Sequence, residues 1–431
     1  MFGVSEPDRI RQERCYNLQM KVRIKMRKYD FFEYLLVIAV ILNLRSMWQY
    51  MPPYGAYFEI FYNVLLIVSC LFCIMLKNVS FSRKSNAGFL ALMLFLYLMF
   101  YIYFNSYKRL SFLMFAIAVS IFSWYALVIF KGDKYPSFFR KYVDIMYFIA
   151  IVSLFIWLFG SVLGVIHPTG IITTSWTGST QTISVPTYFG IQFEPQSLSF
   201  GWIKLARNSA CFTEGPIAAF AFGVALLLEI FLKEQKSNLR TLVLILTTLS
   251  TLTVTGYLIV IVVLITQYIS VRPKMSFLQA IKIIMIPVLF TLTALVVYNL
   301  FIDKLDTTSG SIRIDDFRAG YFVWRSNLLF GAGYLNEASI RSNMALWRSY
   351  NMGYSNSLMC ILAQGGLYLS WLYLVPFIVC LYNFFVKRYI KELVFVGIIF
   401  VMFTITTVCY QYLMIALIIY FSTHGKCRYT Q

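Results

Sequence analysis

The sequence predicts an all-α fold, a polytopic transmembrane helical bundle, and three observations lead to this prediction. First, 60% of the 431 residues are hydrophobic and 13% are charged, whereas about a quarter of a soluble domain is charged. Second, the apolar residues form blocks of about 15 to 27, the length at which a helix crosses a ~30 Å hydrocarbon core. Third, Tyr and Trp recur at block ends, as in interfacial belts. Because a backbone in lipid must satisfy its own hydrogen bonds, the blocks should be helices.

Following the apolar blocks along the chain gives about twelve spans. Two long apolar runs, 241–270 and 392–422, are basic on both flanks, so a single helix would place one basic flank outside. We divide each run into two short helices, with turns predicted at 253–256 and 409–411. The predicted spans are 31–44, 54–76, 87–104, 111–130, 142–166, 211–232, 241–254, 256–270, 277–302, 357–383, 392–407 and 410–422.

The segments between the spans alternate in charge, with the short segment 105–110 (Lys108 and Arg109) as the one exception, and this alternation predicts their sides. One set, which includes both termini, holds 25 of the 37 Lys and Arg residues and is assigned to the cytoplasm. The sequence thus predicts a basic cytoplasmic N-terminus (1–30), a single transmembrane domain (31–422) and a cytoplasmic tail (423–431). This topology accounts for the net charge of +19, so we expect no nucleic-acid partner. Cys70-x-x-Cys73 lies within a span, where packing is expected rather than redox or metal chemistry.

Two long segments then lie outside, near 167–210 and 303–356. The first is rich in Thr, Ser and Gly, and the second is rich in Arg and Asp. Arginines outside the membrane oppose the positive-inside trend, so something must compensate for their charge. They could pair with the aspartates and fold the loop. Alternatively, they could bind an anionic ligand such as a diphosphate, because the arginine fork contacts phosphates through two hydrogen bonds.

Three motifs lie next to these segments. Arg207 precedes Glu214 by seven residues at the start of the sixth span, and Gly215-Pro216 follows. Charged residues at a helix mouth are costly to bury unless they are paired or used, so this is either an interfacial ion pair or a site. The second motif is Arg313 followed by Gly331-Ala332-Gly333, where glycines permit a close backbone approach or a simple turn.

The third motif is Tyr354-Ser355-Asn356, which leads into a Leu-rich span containing Gly365-Gly366. Paired glycines inside a span more often mark helix packing than a site. Over residues 140 to 420, the order of the three motifs resembles the O-antigen polymerase (Wzy-type) and O-antigen ligase superfamily. The sixth span supplies the Phe-x-Glu-x-Pro element of that resemblance, and a paired-helix hairpin separates it from the Arg and Gly-x-Gly elements.

The resemblance implies a glycosyltransferase of the bacterial cell inner membrane that polymerises undecaprenyl-diphosphate-linked repeat units at the periplasmic face. It implies no cofactor and no metal, because arginines can stabilise the charge that develops on a diphosphate leaving group. The implied partners are the lipid-linked glycans, the bilayer and, as a further partner to consider, a chain-length regulator. The expected catalytic carboxylates are Glu214, Asp315 and Asp316. The expected substrate-binding residues are Arg207, Arg313, Arg318, Tyr354, Ser355 and Asn356.

The sequence departs from the superfamily in ways that bear on two alternative functions. The ligase branch has His-Asn where this chain has Ser355-Asn356. The only histidines of this chain are His167 and His424. The usual proline before Gly-x-Gly is replaced by Leu328-Leu329-Phe330. The missing histidine favours a polymerase over a ligase. A lipid-linked oligosaccharide flippase is the other alternative, but no repeat relates the two halves of the chain, as flippases usually show.

Overall fold

The computed structural model describes residues 28–174, 182–200, 203–233, 237–270, 308–350, 352–387 and 390–424. Most of these residues are helical, which confirms the helical character of the predicted fold. The helices are α1 (28–43), α2 (Gly55–Leu76), α3 (Phe81–Phe104), α4 (Arg109–Phe130), α5 (Ser137–Ile156), α6 (Gly215–Phe231), α7 (Asn238–Ser250), α8 (Val254–Ser270), α9 (Thr308–Ser326), α10 (Glu337–Arg341), α11 (Ser357–Lys387), α12 (Ile390–Ile405) and α13 (Tyr412–His424).

Five helices of the described chain are long and apolar enough to cross a membrane. They are α2, α3, α4, α11 and α5 with its π-helical extension Trp157–Val162. Five further apolar helices, α6, α7, α8, α12 and α13, have apolar segments of 10–17 residues, short of the ~20 residues that a perpendicular span needs. These apolar helices are those of a membrane protein, and the full count of twelve spans stays a prediction.

Every predicted span within the described residues coincides with a helix, and the predicted span 277–302 lies outside them. Both long apolar runs are divided into two helices, as predicted, but the breaks lie at 251–253 and 406–411 and so begin before the predicted turns at 253–256 and 409–411. Between α7 and α8, Leu252 has a positive φ of 49°. The hydroxyl of Thr253 accepts a hydrogen bond from the backbone of Gly256 at 3.0 Å. Between α12 and α13, the chain leaves the helix over 406–411. Hydroxyl caps of this kind satisfy backbone groups that a broken helix leaves open.

Five short strands lie in the first long loop, and the sequence analysis did not predict them. An antiparallel sheet is formed by β1 (Gly170–Thr174), β2 (Ile183–Tyr188) and β3 (Gln192–Phe193), while β4 (Ser197–Phe200) pairs with β5 (Ile203–Ala206). Val185 and Phe193 pack with Met47 in a small apolar cluster. The strands are rich in the β-branched residues Ile, Val and Thr, which suit a pleated surface.

The centre of the bundle is α6, whose residues are buried on all sides. A helix that is apolar all round is expected in the interior of a bundle. Gly223 makes a close approach possible, because a Cβ at this position would lie 2.7 Å from Ile259 of α8. The middle of α6 therefore packs closely against α8.

The helix connections gather at two ends of the bundle. The loop end contains residues 44–54, 105–108, 163–174, 182–200, 203–214, 251–253, 327–350, 352–356 and 406–411. Backbone contacts such as Met47 to Cys211 and Asn208 to Ser250 join these segments. The basic end contains the linkers 77–80 and 131–136 and the described residues 232, 233 and 237, together with the adjoining helix turns. There, the Arg83 guanidinium donates to the Lys131 carbonyl, and Arg240 pairs with Asp144.

The second and third sequence motifs meet at the loop end. The backbone N–H groups of Ala332 and Gly333 donate to the carbonyls of Ala363 and Gln364. A Cβ on Gly331 would lie 2.4 Å from the Gln364 backbone, so only glycine fits here. Gly366 breaks α11 with φ 61° and ψ −164°. The Gly-x-Gly loop therefore docks against the break in α11, which is a packing role for both glycine pairs.

Candidate functional site

The candidate site is built around Glu214, the residue immediately before α6. Its Oε1 atom accepts a hydrogen bond from Nη1 of Arg45 at 3.1 Å. Local backbone pairing holds the two side chains together: Thr213 N–H donates to the Arg45 carbonyl, and Ser46 forms a bridge with Phe212. The side chains of Arg45 and Glu214 are 14% and 18% exposed, so the pair is shielded but not sealed.

Arg207 is the second cation of the site, at the end of the β4–β5 hairpin. Its Nη1 atom donates to Oε1 of Gln196 at 3.2 Å. Its Nε atom is buried and has no hydrogen-bond partner within the described residues. A Cβ on Gly215 would lie 3.1 Å from Cδ of Arg207, so the glycine between Glu214 and the proline makes room for this side chain. Burial lowers the pKa of Arg207, and the nearby Glu214 carboxylate only partly offsets that effect.

Arg313 of α9 is the third cation. Its Nη1 atom donates to the carbonyl of Ile405, at the end of α12, at 3.2 Å. Burial lowers the pKa of Arg313, against the opposing charges of Asp316 and Glu214. Arg313 also lowers the pKa of Arg207, which means that the two guanidinium groups are close enough to repel each other. We call Arg45, Arg207, Glu214 and Arg313 the open cluster.

The open cluster carries more positive than negative charge. Arg45 pairs with the carboxylate of Glu214, and Arg207 and Arg313 are near enough for the charge of that carboxylate to act on both. Arg207 and Arg313 are held where burial disfavours their charge. Cations taken out of water without full compensation are costly unless a counter-charge joins them. An anion placed between these side chains would supply that counter-charge and could accept hydrogen bonds from more than one guanidinium fork.

Asp315 and Asp316 occupy a different environment. Arg348 is completely buried, and its Nη1 atom lies 2.8 Å from Oδ1 of Asp316 and 3.3 Å from Oδ2 of Asp315. The backbone and hydroxyl of Ser355 donate to Oδ2 of Asp316 at 2.9 and 2.6 Å. Burial raises the pKa of Asp316, although Ser355 and Arg348 oppose the change. We call Arg348, Asp315, Asp316 and Ser355 the closed cluster.

The closed cluster fastens the segment before α11 onto α9. The predicted catalytic residues Asp315 and Asp316 are engaged in this contact and are sealed from solvent, which favours a supporting role. The Tyr354 hydroxyl donates to the Asp316 carbonyl at 2.7 Å. The Asn356 side chain accepts from Met359 N–H at 2.9 Å, as a helix N-cap. Arg318 is exposed, with its guanidinium 5.5 Å from the Phe322 ring centroid.

The structure thus brings together Arg207, Glu214 and Arg313 of the predicted site. It places Asp315, Asp316, Tyr354, Ser355 and Asn356 around a structural contact and leaves Arg318 exposed. Sequence reasoning missed Arg45, which completes the open cluster, and Gln196, which binds Arg207, and it gave no separate role to Arg348. One signal could have found Arg45: it follows the first predicted span on the side where the positive-inside bias disfavours arginine. Within the described residues, no group of three or more His, Cys, Asp or Glu side chains could hold a metal ion.

Comparison with known proteins adds no relative to these observations. No model of a protein family matches the chain, and no curated protein is significantly similar to it.

Proposed function

We propose that the chain is a membrane glycosyltransferase that polymerises undecaprenyl-diphosphate-linked repeat units into O-antigen or a related surface polysaccharide. The observation that carries the proposal is the open cluster, with three guanidinium groups around one carboxylate at the mouth of α6. A diphosphate has the charge and the geometry that such a cluster is suited to bind. The motif order that resembles the polymerase branch includes two of these arginines, Arg207 and Arg313.

The proposed reaction joins two lipid-linked substrates. A hydroxyl group of the incoming repeat unit attacks the anomeric carbon of the growing glycan. The bond between that carbon and the diphosphate oxygen breaks, and the diphosphate leaves with the bonding electrons. Arg45, Arg207 and Arg313 stabilise the charge that develops on the leaving oxygen. The carboxylate of Glu214 takes the proton of the attacking hydroxyl. The products are the lengthened glycan on the incoming lipid and free undecaprenyl diphosphate.

The proposed topology has twelve spans, both termini in the cytoplasm and the loop end at the periplasmic face of the bacterial inner membrane. It is supported by the separation of charge along the bundle, since basic linkers gather at the end opposite the open cluster. Reporter fusions at Ser175 and Arg341 should read periplasmic, and fusions at Lys236 and Lys387 should read cytoplasmic. A cytoplasmic signal at Arg341 would put the open cluster on the wrong side of the membrane for this substrate.

A deletion strain tests the function directly. Loss of a polymerase should leave lipid A carrying single, unpolymerised repeat units, because ligation and transport still operate. Loss of a ligase would leave lipid A without attached O-antigen while polymer accumulates on its lipid carrier. Loss of a flippase would abolish both products. Electrophoresis of lipopolysaccharide from the deletion strain, with the intact gene restored as the control, distinguishes these three outcomes.

A further inference from the structure

A cavity of about 490 Å³ lies at the loop end, next to the open cluster. Its walls come from the segment after α1, from α10 and its flanks, from the first half of α11, and from the 406–411 break. Arg45 belongs to both the cavity wall and the open cluster. The volume of the cavity is in the range of about 300–1,000 Å³ that small-molecule sites occupy. We call it the Arg45 cavity.

The lining of the Arg45 cavity combines aromatic rings with polar amide groups. Tyr50, Tyr354 and Tyr410 contribute aromatic rings, and Gln364 and Gln411 contribute amides. Aromatic faces and planar polar groups together suit a ligand that has both apolar C–H surfaces and many hydroxyl groups. A saccharide is such a ligand.

Two polar atoms of the cavity-lining residues form no hydrogen bond within the described structure. The Tyr410 hydroxyl and Oε1 of Gln411 are buried and have no hydrogen-bond partner there. The Tyr410 ring is fixed by edge contacts with Tyr334 at 4.8 Å and Phe115 at 5.5 Å. Because most buried polar atoms in native proteins are paired, each exception needs an explanation. Neither atom is exposed to the cavity in this structure, so a ligand would reach them after a small movement of the cavity wall, and its hydroxyl groups would then provide the missing partners.

We infer that the Arg45 cavity binds the sugar that is attached to the lipid diphosphate. This inference rests on the proposed function, because it takes the diphosphate to lie in the open cluster. The anomeric carbon of the donor sugar is bonded directly to a diphosphate oxygen, so the sugar must occupy space that adjoins the diphosphate. The Arg45 cavity adjoins the cluster through Arg45 itself. Tyr410 and Gln411 then determine how tightly the sugar is held, without touching the diphosphate.

The test measures two ligands separately on the full chain purified in detergent, by isothermal titration calorimetry. The first probe is inorganic pyrophosphate. The second is the repeat-unit oligosaccharide released by mild acid from the lipid-linked glycans of the same cells. Gln411→Leu and Tyr410→Phe should each weaken oligosaccharide binding by about tenfold, the effect of one or two lost hydrogen bonds. Pyrophosphate binding should be unchanged in both variants.

Gln192→Leu is the matched control. Gln192 also has a buried amide oxygen without a partner in the described structure, but it lies between α1 and α5, outside the Arg45 cavity. Its substitution should leave oligosaccharide binding unchanged. Equal oligosaccharide affinity in the wild type and in Gln411→Leu and Tyr410→Phe would overturn the inference, as would an equal loss in the control. If the wild type binds pyrophosphate but no oligosaccharide, the inference alone fails; if it does not bind pyrophosphate, the proposed function fails as well.

Discussion

The open and closed clusters share the helix α9 and the same residue types, yet they differ in charge balance and in access. The closed cluster surrounds one arginine with two carboxylates, and none of the three charged side chains is more than 6% exposed. The open cluster surrounds one carboxylate with three arginines and remains partly accessible. A sealed, fully bonded network can stabilise the fold without any ligand. A partly accessible network with excess positive charge is stabilised when an anion binds to it.

The largest effect is expected at the centre of the closed cluster. Arg348→Met removes the arginine that forms ion pairs with two buried carboxylates, which should destabilise the protein by about 3–5 kcal/mol. Protein level and thermal unfolding in detergent measure this. Arg341→Met is the control, because Arg341 forms a partly exposed pair with Glu337, and such pairs contribute about 0–1 kcal/mol. Similar losses in both variants would contradict the distinction between a sealed and an exposed ion pair.

The next largest effect concerns the single carboxylate of the open cluster. Glu214→Gln keeps the shape of the side chain and removes its basicity, so polymerisation should fall by about 10²–10⁴-fold at normal protein level. Polymer length on lipopolysaccharide gels and turnover with lipid-linked substrate measure this effect.

Glu194→Gln is the control for Glu214, because Glu194 is a loop carboxylate that accepts a hydrogen bond from the Ser161 hydroxyl. We expect it to retain activity. If Glu214→Gln binds pyrophosphate more tightly and still makes full-length polymer, Glu214 is only a counter-ion to the arginines.

Polymerisation should depend on the shape of the arginine side chains in the open cluster and not only on their charge. Lys cannot reproduce the guanidinium fork, so Arg207→Lys and Arg313→Lys should each reduce polymerisation by roughly 10–100-fold while protein level stays normal. Arg325→Lys should be tolerated, since Arg325 is exposed at the end of α9 and lies outside both the open cluster and the Arg45 cavity. Equal tolerance at all three positions would mean that the loop arginines serve only as local salt bridges.

The smallest effect is a pH dependence of stability that belongs to the closed cluster. Burial raises the pKa of Asp316 in the folded protein above its unfolded value. The folded state therefore binds this proton more tightly, which contributes stability below the unfolded pKa of about 3.9. That contribution is lost as pH rises through the folded pKa, by about 1.4 kcal/mol for each pKa unit of difference.

The measurement compares the thermal unfolding of the wild type with that of Asp316→Asn as pH rises from below about 3.9 through the folded pKa of Asp316. The difference between the two proteins isolates the contribution of this carboxyl group. The stability of the wild type relative to the variant should decrease as pH rises. A relative stability that increases with pH would mean that Arg348 outweighs burial in setting the pKa of Asp316.

Much of the helical fold could be predicted from the sequence because its signal is local. Each apolar helix of the described structure corresponds to an apolar block in the sequence. The basic flanks of the two long blocks correctly predicted that each block contains a helix break. The strands of the first long loop were missed because they are short, and their apolar residues pack against Met47 and Trp48 rather than following a long alternating pattern. Such packing depends on segments distant in the chain.

The sequence by itself determined the apolar helices, the basic linkers and the presence of Arg207 and Glu214 at one helix mouth, because these depend on composition and short spacing. Only the tertiary structure decided which charges compensate each other. Arg45 contacts Glu214 across 169 positions, and Arg348 reaches Asp316 across 32. Electrostatic interaction depends on distance through space and on burial. Neither can be read from sequence separation, so the difference between an open and a closed cluster emerges only when the chain is folded.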